Sequence, residues 1–120
     1  MDTIDAFYND VSGLISDFDL LRCLEVEALE IRKTGFCDIN IKCDLRYGIN
    51  TIICIEFIKA WKIKIECPGG TWSVCTLSIS YPPGIDEPGY GYYFHDEHSA
   101  FGWCFEEMHL VSVKGNADWK

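Results

Sequence analysis

The chain has 120 residues and sets ten basic against nineteen acidic side chains, for a net charge of −9 with His neutral. That length supports one domain, residues 1–120, and 48% hydrophobic with 24% charged residues excludes disordered, collagen-like and coiled-coil sequence. A surface this acidic repels phosphate backbones and anionic lipid, so no direct nucleic-acid binding and no membrane binding is expected, and a basic partner is attracted instead.

Read from the N-terminus, apolar residues recur from Ile4 at Phe7, Tyr8, Val11, Leu14, Ile15 and Phe18, the rhythm of an amphipathic helix. Asp2 or Thr3 serves as its cap, Asp5 suits its positive end, and Asp5, Asp10 and Asp17 mark its outer face. Gly13 is expected to weaken this helix without ending it. After Leu20 the period changes, and Leu24, Val26 and Ala28 alternate with Cys23, Glu25 and Glu27 as a half-buried strand or a continued helix. A turn at Lys33-Thr34-Gly35 leads into Phe36 to Leu45, where Cys37, Ile39, Ile41 and Cys43 alternate with Asp38, Asn40, Lys42 and Asp44. Tyr47-Gly48 makes the next turn, and Ile49 to Ile58 reads as a central strand covered on both faces.

Trp61, Ile63, Ile65 and Cys67 alternate with Lys62, Lys64 and Glu66; Pro68-Gly69-Gly70-Thr71 reverses the chain, and Trp72 to Tyr81 returns. This pattern predicts a β-hairpin. Pro82-Pro83-Gly84 and Pro88-Gly89 bracket a loop, followed by strands at Gly89 to His95 and Met108 to Val113, with Phe101 to Phe105 either strand or short helix. The fold class is therefore α+β, with the N-terminal amphipathic helix packed on a mostly antiparallel β-sheet.

The seven cysteines form no CxxC pair and sit in apolar stretches, as reduced, buried thiols of a cytosolic protein do. The N-terminus has neither the basic region nor the apolar stretch of a signal peptide, so a cytoplasmic location is expected. His95-Asp96-Glu97-His98 gathers metal-ligand types, but with His109 or a cysteine as the third ligand it matches no known spacing, so no metal and no other cofactor is expected. Gly89-Tyr90-Gly91 opens like a dinucleotide loop, yet Phe94 stands where the third glycine belongs. With no activated thiol, no nucleophile elbow and no facing carboxylate pair, the chain is read as a binding protein and not as an enzyme.

The charges are unevenly placed. The 49 residues between Lys64 and Lys114 hold no Lys or Arg but contain Glu66, Asp86, Glu87, Asp96, Glu97, Glu106 and Glu107, and residues 2–21 add five aspartates. Interleaved with the acidic doublets are Tyr90, Tyr92, Tyr93, Phe94, Phe101 and Trp103. Aromatic anchors ringed by charge are what protein interfaces use, because the rings bury large area at small entropy cost. Asp86, Glu87, Tyr90, Tyr92, Tyr93, Asp96, Glu97, Trp103, Glu106 and Glu107 are thus the candidate partner-binding residues, and the acidic helix, through Asp10 and Asp17, is a second candidate surface. A pocket lined by Tyr92, Phe94 and Trp103 would instead point to a small-ligand-binding domain or small enzyme, and acidity alone to a phage-type mimic of nucleic acid.

A small, acidic, single-domain chain with such a stretch resembles the immunity proteins of bacterial toxin–immunity systems, including those of contact-dependent growth inhibition and polymorphic toxins. The hairpin Ile63-Lys64-Ile65-Glu66, Pro68-Gly69 and Trp72-Ser73-Val74, about a tenth of the chain, is similar to a segment seen in immunity families. The resemblance implies a cognate basic toxin domain as partner. A nuclease of that kind exposes Lys and Arg to grip phosphates, and the carboxylates named above would lie at those subsites while the tyrosines and Trp103 slow dissociation.

Overall fold

The computed structural model describes residues 2–36, 38–66, 73, 74, 76–81, 91–97 and 101–115. Helix α1 (Thr3–Ser12) precedes a 3₁₀ turn at Leu20–Arg22 and the strands β1 (Cys23–Lys33), β2 (Ile39–Tyr47), β3 (Thr51–Ile58), β4 (Trp61–Ile65), β5 (Leu77–Ser80), β6 (Tyr92–Asp96), β7 (Phe101–Phe105) and β8 (Glu107–Gly115). They form two four-stranded sheets, ordered β1-β2-β3-β8 and β4-β7-β6-β5, with every neighbouring pair antiparallel. The α+β class read from the sequence is the observed one, with the helix packed against β8.

Alternation decides which side chains meet between the sheets. In β2 Ile41, Cys43, Leu45 and Tyr47 are buried, while Lys42, Asp44 and Arg46 take the outer face. Opposite them stand Ile53, Ile55 and Phe57 of β3 and, from the second sheet, Leu77, Phe94, Trp103 and Phe105. Phe57 is the centre of this layer, with ring centroids 4.9 Å from Phe94, 5.1 Å from Trp103 and 4.9 Å from Phe105. Fully burying each such ring is worth about 1.5–3 kcal/mol, so the aromatic cluster is what fastens the second sheet to the first. The remaining inner surface is covered by Phe7, Val11 and Ile15, and Phe18 stacks on Tyr47 at 5.2 Å.

The chain changes sheets twice at one seam. Lys59, with φ 56°, turns the backbone out of β3, and the Ala60 N–H donates to the Ile39 carbonyl at 2.7 Å. On the way back the Glu106 N–H donates to the Ile58 carbonyl at 3.0 Å. Residue 106 therefore sits on the outside of a backbone crossing.

Several expectations need correcting. The helix ends at Ser12, with Gly13 as its C-cap, and the next turn tightens through the Leu14 N–H to Val11 carbonyl bond of 3.0 Å. Ile15 and Phe18 keep helical spacing because they still face the core, but Asp17 has φ 54°, which no helix accommodates. In β1 the simple alternation fails: Cys23 is buried and Leu24 is 49% exposed. Irregularities between Cys23 and Glu25 and between Val26 and Ala28 shift the register, as β-bulges do. The strand expected from Ile49 begins at Thr51, and Ile49 is 83% exposed in the turn. Of the segment left open between strand and helix, Phe101–Phe105 is a strand with all five residues buried.

The largest correction concerns the hairpin of residues 61–67 and 72–81. Its described strands, β4 and β5, lie at opposite edges of the second sheet, with β7 and β6 between them. Ser73 bridges Glu25 of β1, and the Val74 N–H donates to the Leu24 carbonyl at 3.0 Å. The cause is burial on both faces: β7 is apolar throughout and takes an interior place. β4, with Lys62 and Lys64 exposed between half-buried Trp61, Ile63 and Ile65, has the pattern of an edge. The turn residues 68–71, with Cys67 and Trp72, lie outside the described residues.

Candidate partner-binding surface

Strand β6 divides the candidate residues, because consecutive side chains leave a strand on opposite faces. Tyr92 turns toward the helix side and lies against Phe105 at 5.7 Å. Tyr93 turns to the outer face of the second sheet and stacks on His95 at 4.2 Å with 10° between the rings. The two tyrosines serve two different surfaces.

On the Tyr92 side a cleft of about 370 Å³ opens between the start of α1 and the β7–β8 connection, lined by Asp2, Thr3, Ala6, Tyr92, Glu106, Glu107 and His109. Asp2 is placed by its role as N-cap, its Oδ1 accepting from the Asp5 N–H at 2.8 Å. Thr3, the alternative cap, does something else. Its hydroxyl donates to the Met108 carbonyl at 2.9 Å and accepts from the Met108 N–H at 2.8 Å, which occupies the open edge of β8 as a neighbouring strand would. This clamp holds the acidic helix start beside the Glu106–Glu107 doublet.

Glu106 and Glu107 are exposed on the rim, and His109 Nε2 lies 3.7 Å from Glu107 Oε1. The Tyr92 hydroxyl is held above its ordinary range, first by burial and then by the negative charge and hydrogen bond of Asp2, with Asp5 adding to the same effect. Asp2, Asp5, Glu106 and Glu107 thus share one neighbourhood, and among the described residues no Lys or Arg lines the cleft. A cationic side chain entering it meets the carboxylates of Asp2, Glu106 and Glu107 in a lining that also includes Tyr92, which suits an ammonium or guanidinium group.

On the opposite face, Ser78 and Ser80 place their hydroxyls 3.2 and 3.3 Å from His95 Nε2, and the Ser78 hydroxyl donates to Glu97 Oε1 at 3.4 Å. Gly102 makes this packing feasible. A Cβ there would stand 2.3 Å from the Phe94 carbonyl oxygen and 2.8 Å from His95 Cα.

Two candidate residues are not on a surface at all. Trp103 is 0% exposed and packs on Phe57, Phe94 and Phe101, so it supplies core and not partner contact. Asp96 is 4% exposed, because it occupies the inward position of β6 in register with Phe101 and Leu77. The pocket walls envisaged at Phe94 and Trp103 touch each other, with ring centroids 5.2 Å apart. Asp86, Glu87 and Tyr90 lie outside the described residues, as does His98. Among the described residues no group of three or more His, Cys, Asp or Glu side chains is placed to hold a metal ion, and no helix is long and apolar enough to cross a membrane.

Of the cleft residues, Ala6 carried no signal in the sequence, Thr3 stood out only as a possible cap and His109 only as a possible third metal ligand, and each becomes relevant here through the contact of α1 with β8. Asp2 and Asp5 belonged to the acidic helix, one of the two separate surfaces considered, and the fold merges its first turn with Glu106 and Glu107. Asp10 and Asp17 are exposed but do not line the cleft. No protein-family model, curated protein or solved structure matches this chain.

Proposed function

We propose that this protein is an immunity-type inhibitor that binds a cognate basic toxin domain, a nuclease in the leading case, and blocks its active site without doing chemistry of its own. The observation that carries the reading is the merging of two acidic segments, distant in sequence, into one cleft that includes Tyr92 and that, among the described residues, no Lys or Arg lines. A nuclease that grips phosphates must present Lys and Arg around its reactive centre. Such a surface is drawn to a molecule of net charge −9 and steered toward the end where Asp2, Asp5, Glu106 and Glu107 gather. Once docked, one or two basic side chains occupy the cleft, and phosphates are excluded from the groups that would have held them. The cytoplasm is where such a protein acts, since the toxin's substrate lies there.

The test is affinity capture at low salt from the source cells, comparing the native chain with a Glu106→Lys/Glu107→Lys variant. A basic protein captured one-to-one by the native chain only, whose nuclease activity appears after the chain is removed, supports the reading. A partner bound equally by both forms contradicts the placement of the site, and a captured protein that remains active in the complex contradicts the function.

A further inference from the structure

At the tip of the β1–β2 hairpin, where the Thr34 N–H donates to the Asp38 carbonyl at 2.9 Å, Phe36 is 93% exposed, the highest value among the large apolar residues described. A phenylalanine ring this exposed presents apolar area that a contact with another molecule would remove from water. The Asp38 carboxylate lies beside the same turn, 3.2 Å from where a Cβ on Gly35 would stand.

The other end of the same sheet carries the matching shape. The β2–β3 turn, β1's first residues and the 3₁₀ turn enclose a groove of about 490 Å³ lined by Leu21, Arg22, Leu24, Tyr47 and Ile49 together with the turn backbone. Leu21 is 51%, Leu24 49% and Ile49 83% exposed, and the Gly48 N–H donates to the Arg22 carbonyl at 3.1 Å, fixing the groove's floor. Arg22 is exposed and makes no ion pair among the described residues. Phe36 cannot fill this groove in its own molecule, since the nine residues of β2 keep the two turns about 27 Å apart.

We infer that a second copy of this chain is the groove's occupant: Phe36 of one molecule inserts between Leu21, Leu24 and Ile49 of the next, and its neighbour Asp38 pairs with Arg22. An apolar knob meets an apolar groove, and an anion meets a cation, neither of which forms an ion pair among the described residues. Because knob and groove are different patches, the contact is heterologous and does not close on itself as a two-fold dimer does; it extends head to tail. The acidic cleft lies by β8, at the other edge of the first sheet from β1, so assembly leaves it open to a partner. The contact is small, and it should be weak and visible only at high concentration.

The experiment is sedimentation velocity on the full chain from micromolar to millimolar concentration, with Phe36→Ser removing the knob and Ile49→Asp removing the groove. The inference predicts a weight-average mass that climbs past the dimer for the native chain, and a monomer for each variant alone. An equimolar mixture of the two variants should give a dimer and nothing larger, since only one knob and one groove remain. Arg22→Asp should abolish the growth and the added Asp38→Arg should restore it. A native chain that stays monomeric, stops at a dimer, or keeps assembling after Phe36→Ser overturns the inference. Unchanged circular dichroism of the variants separates lost assembly from lost folding.

Discussion

Replacing Thr3 by valine keeps the shape of the side chain and removes its hydroxyl. That hydroxyl bonds both the carbonyl and the N–H of Met108, at 2.9 and 2.8 Å, so two hydrogen bonds are lost and two backbone groups at a part-buried site lose their partners. A net hydrogen bond contributes about 0.5–1.5 kcal/mol, and stranding a buried partner costs more, so the substitution should destabilise the fold by about 2–3 kcal/mol. For a chain of 120 residues the unfolding entropy converts 1 kcal/mol into about 4 °C, which puts the melting temperature about 8–12 °C lower. In urea the midpoint should fall by about 1–2 M without a change in slope. Thr3→Ser retains the hydroxyl and should lose less than half as much. The same Thr3→Val variant should weaken capture of the basic partner, since Asp2 is no longer held against Glu106 and Glu107. An unfolding midpoint equal to that of the native protein would refute the claim that Thr3 clamps the helix to β8.

Three further outcomes follow from particular contacts. Gly102→Ala places a methyl group 2.3 Å from the Phe94 carbonyl oxygen at a φ of 154°, and should cost about 3 kcal/mol or more, read as a failure to give a cooperative melt near the native temperature. Burial pushes the Cys23 thiol up to about 12, with Asp19 adding to it, and pushes Cys43 well above the ordinary value near 9, so the native protein should resist iodoacetamide at Cys23 and Cys43 at pH 8 and react once unfolded, as mass mapping will show. Because the unfolded chain releases those protons near pH 9 while the folded chain holds them, stability is full below pH 9 and should fall as pH rises toward 12. Cys23 alone contributes a slope of about 1.4 kcal/mol per pH unit, measurable by urea titration at successive pH values.

Local patterns carried most of the secondary structure. The alternation of Ile41, Cys43 and Leu45 against Lys42 and Asp44 and the helical spacing of Phe7 and Val11 are local facts, and both elements formed over those residues, although the helix stops at Ser12 and the strand runs from Ile39 to Tyr47 and not from Phe36 to Leu45. Pairing between strands is not local. The Pro-Gly-Gly turn signal argued for joining β4 to β5, but the doubly buried β7 claimed the place between them, a competition among strands distant in sequence. The candidate surface failed and succeeded for the same reason. Contiguous residues such as Tyr92, Tyr93, Asp96 and Glu97 read as one patch, yet a strand sends them to opposite faces, and Asp96 and Trp103 fell inward. Glu106 and Glu107 stayed exposed because they flank a change of sheet. Their meeting with Asp2 depends on the bonds between Thr3 and Met108, residues 105 positions apart.

The central claim is that the acidic cleft is where the basic partner docks, and association kinetics test it most directly. The native chain and an Asp2→Asn/Glu106→Gln/Glu107→Gln variant would be mixed in stopped flow with the purified basic partner at low and at physiological ionic strength. Loss of three steering charges should slow association about tenfold or more at low salt and flatten its dependence on salt, with dissociation faster as well. Equal association rates and equal salt dependence for the two forms would contradict the claim and place the interface elsewhere on the molecule.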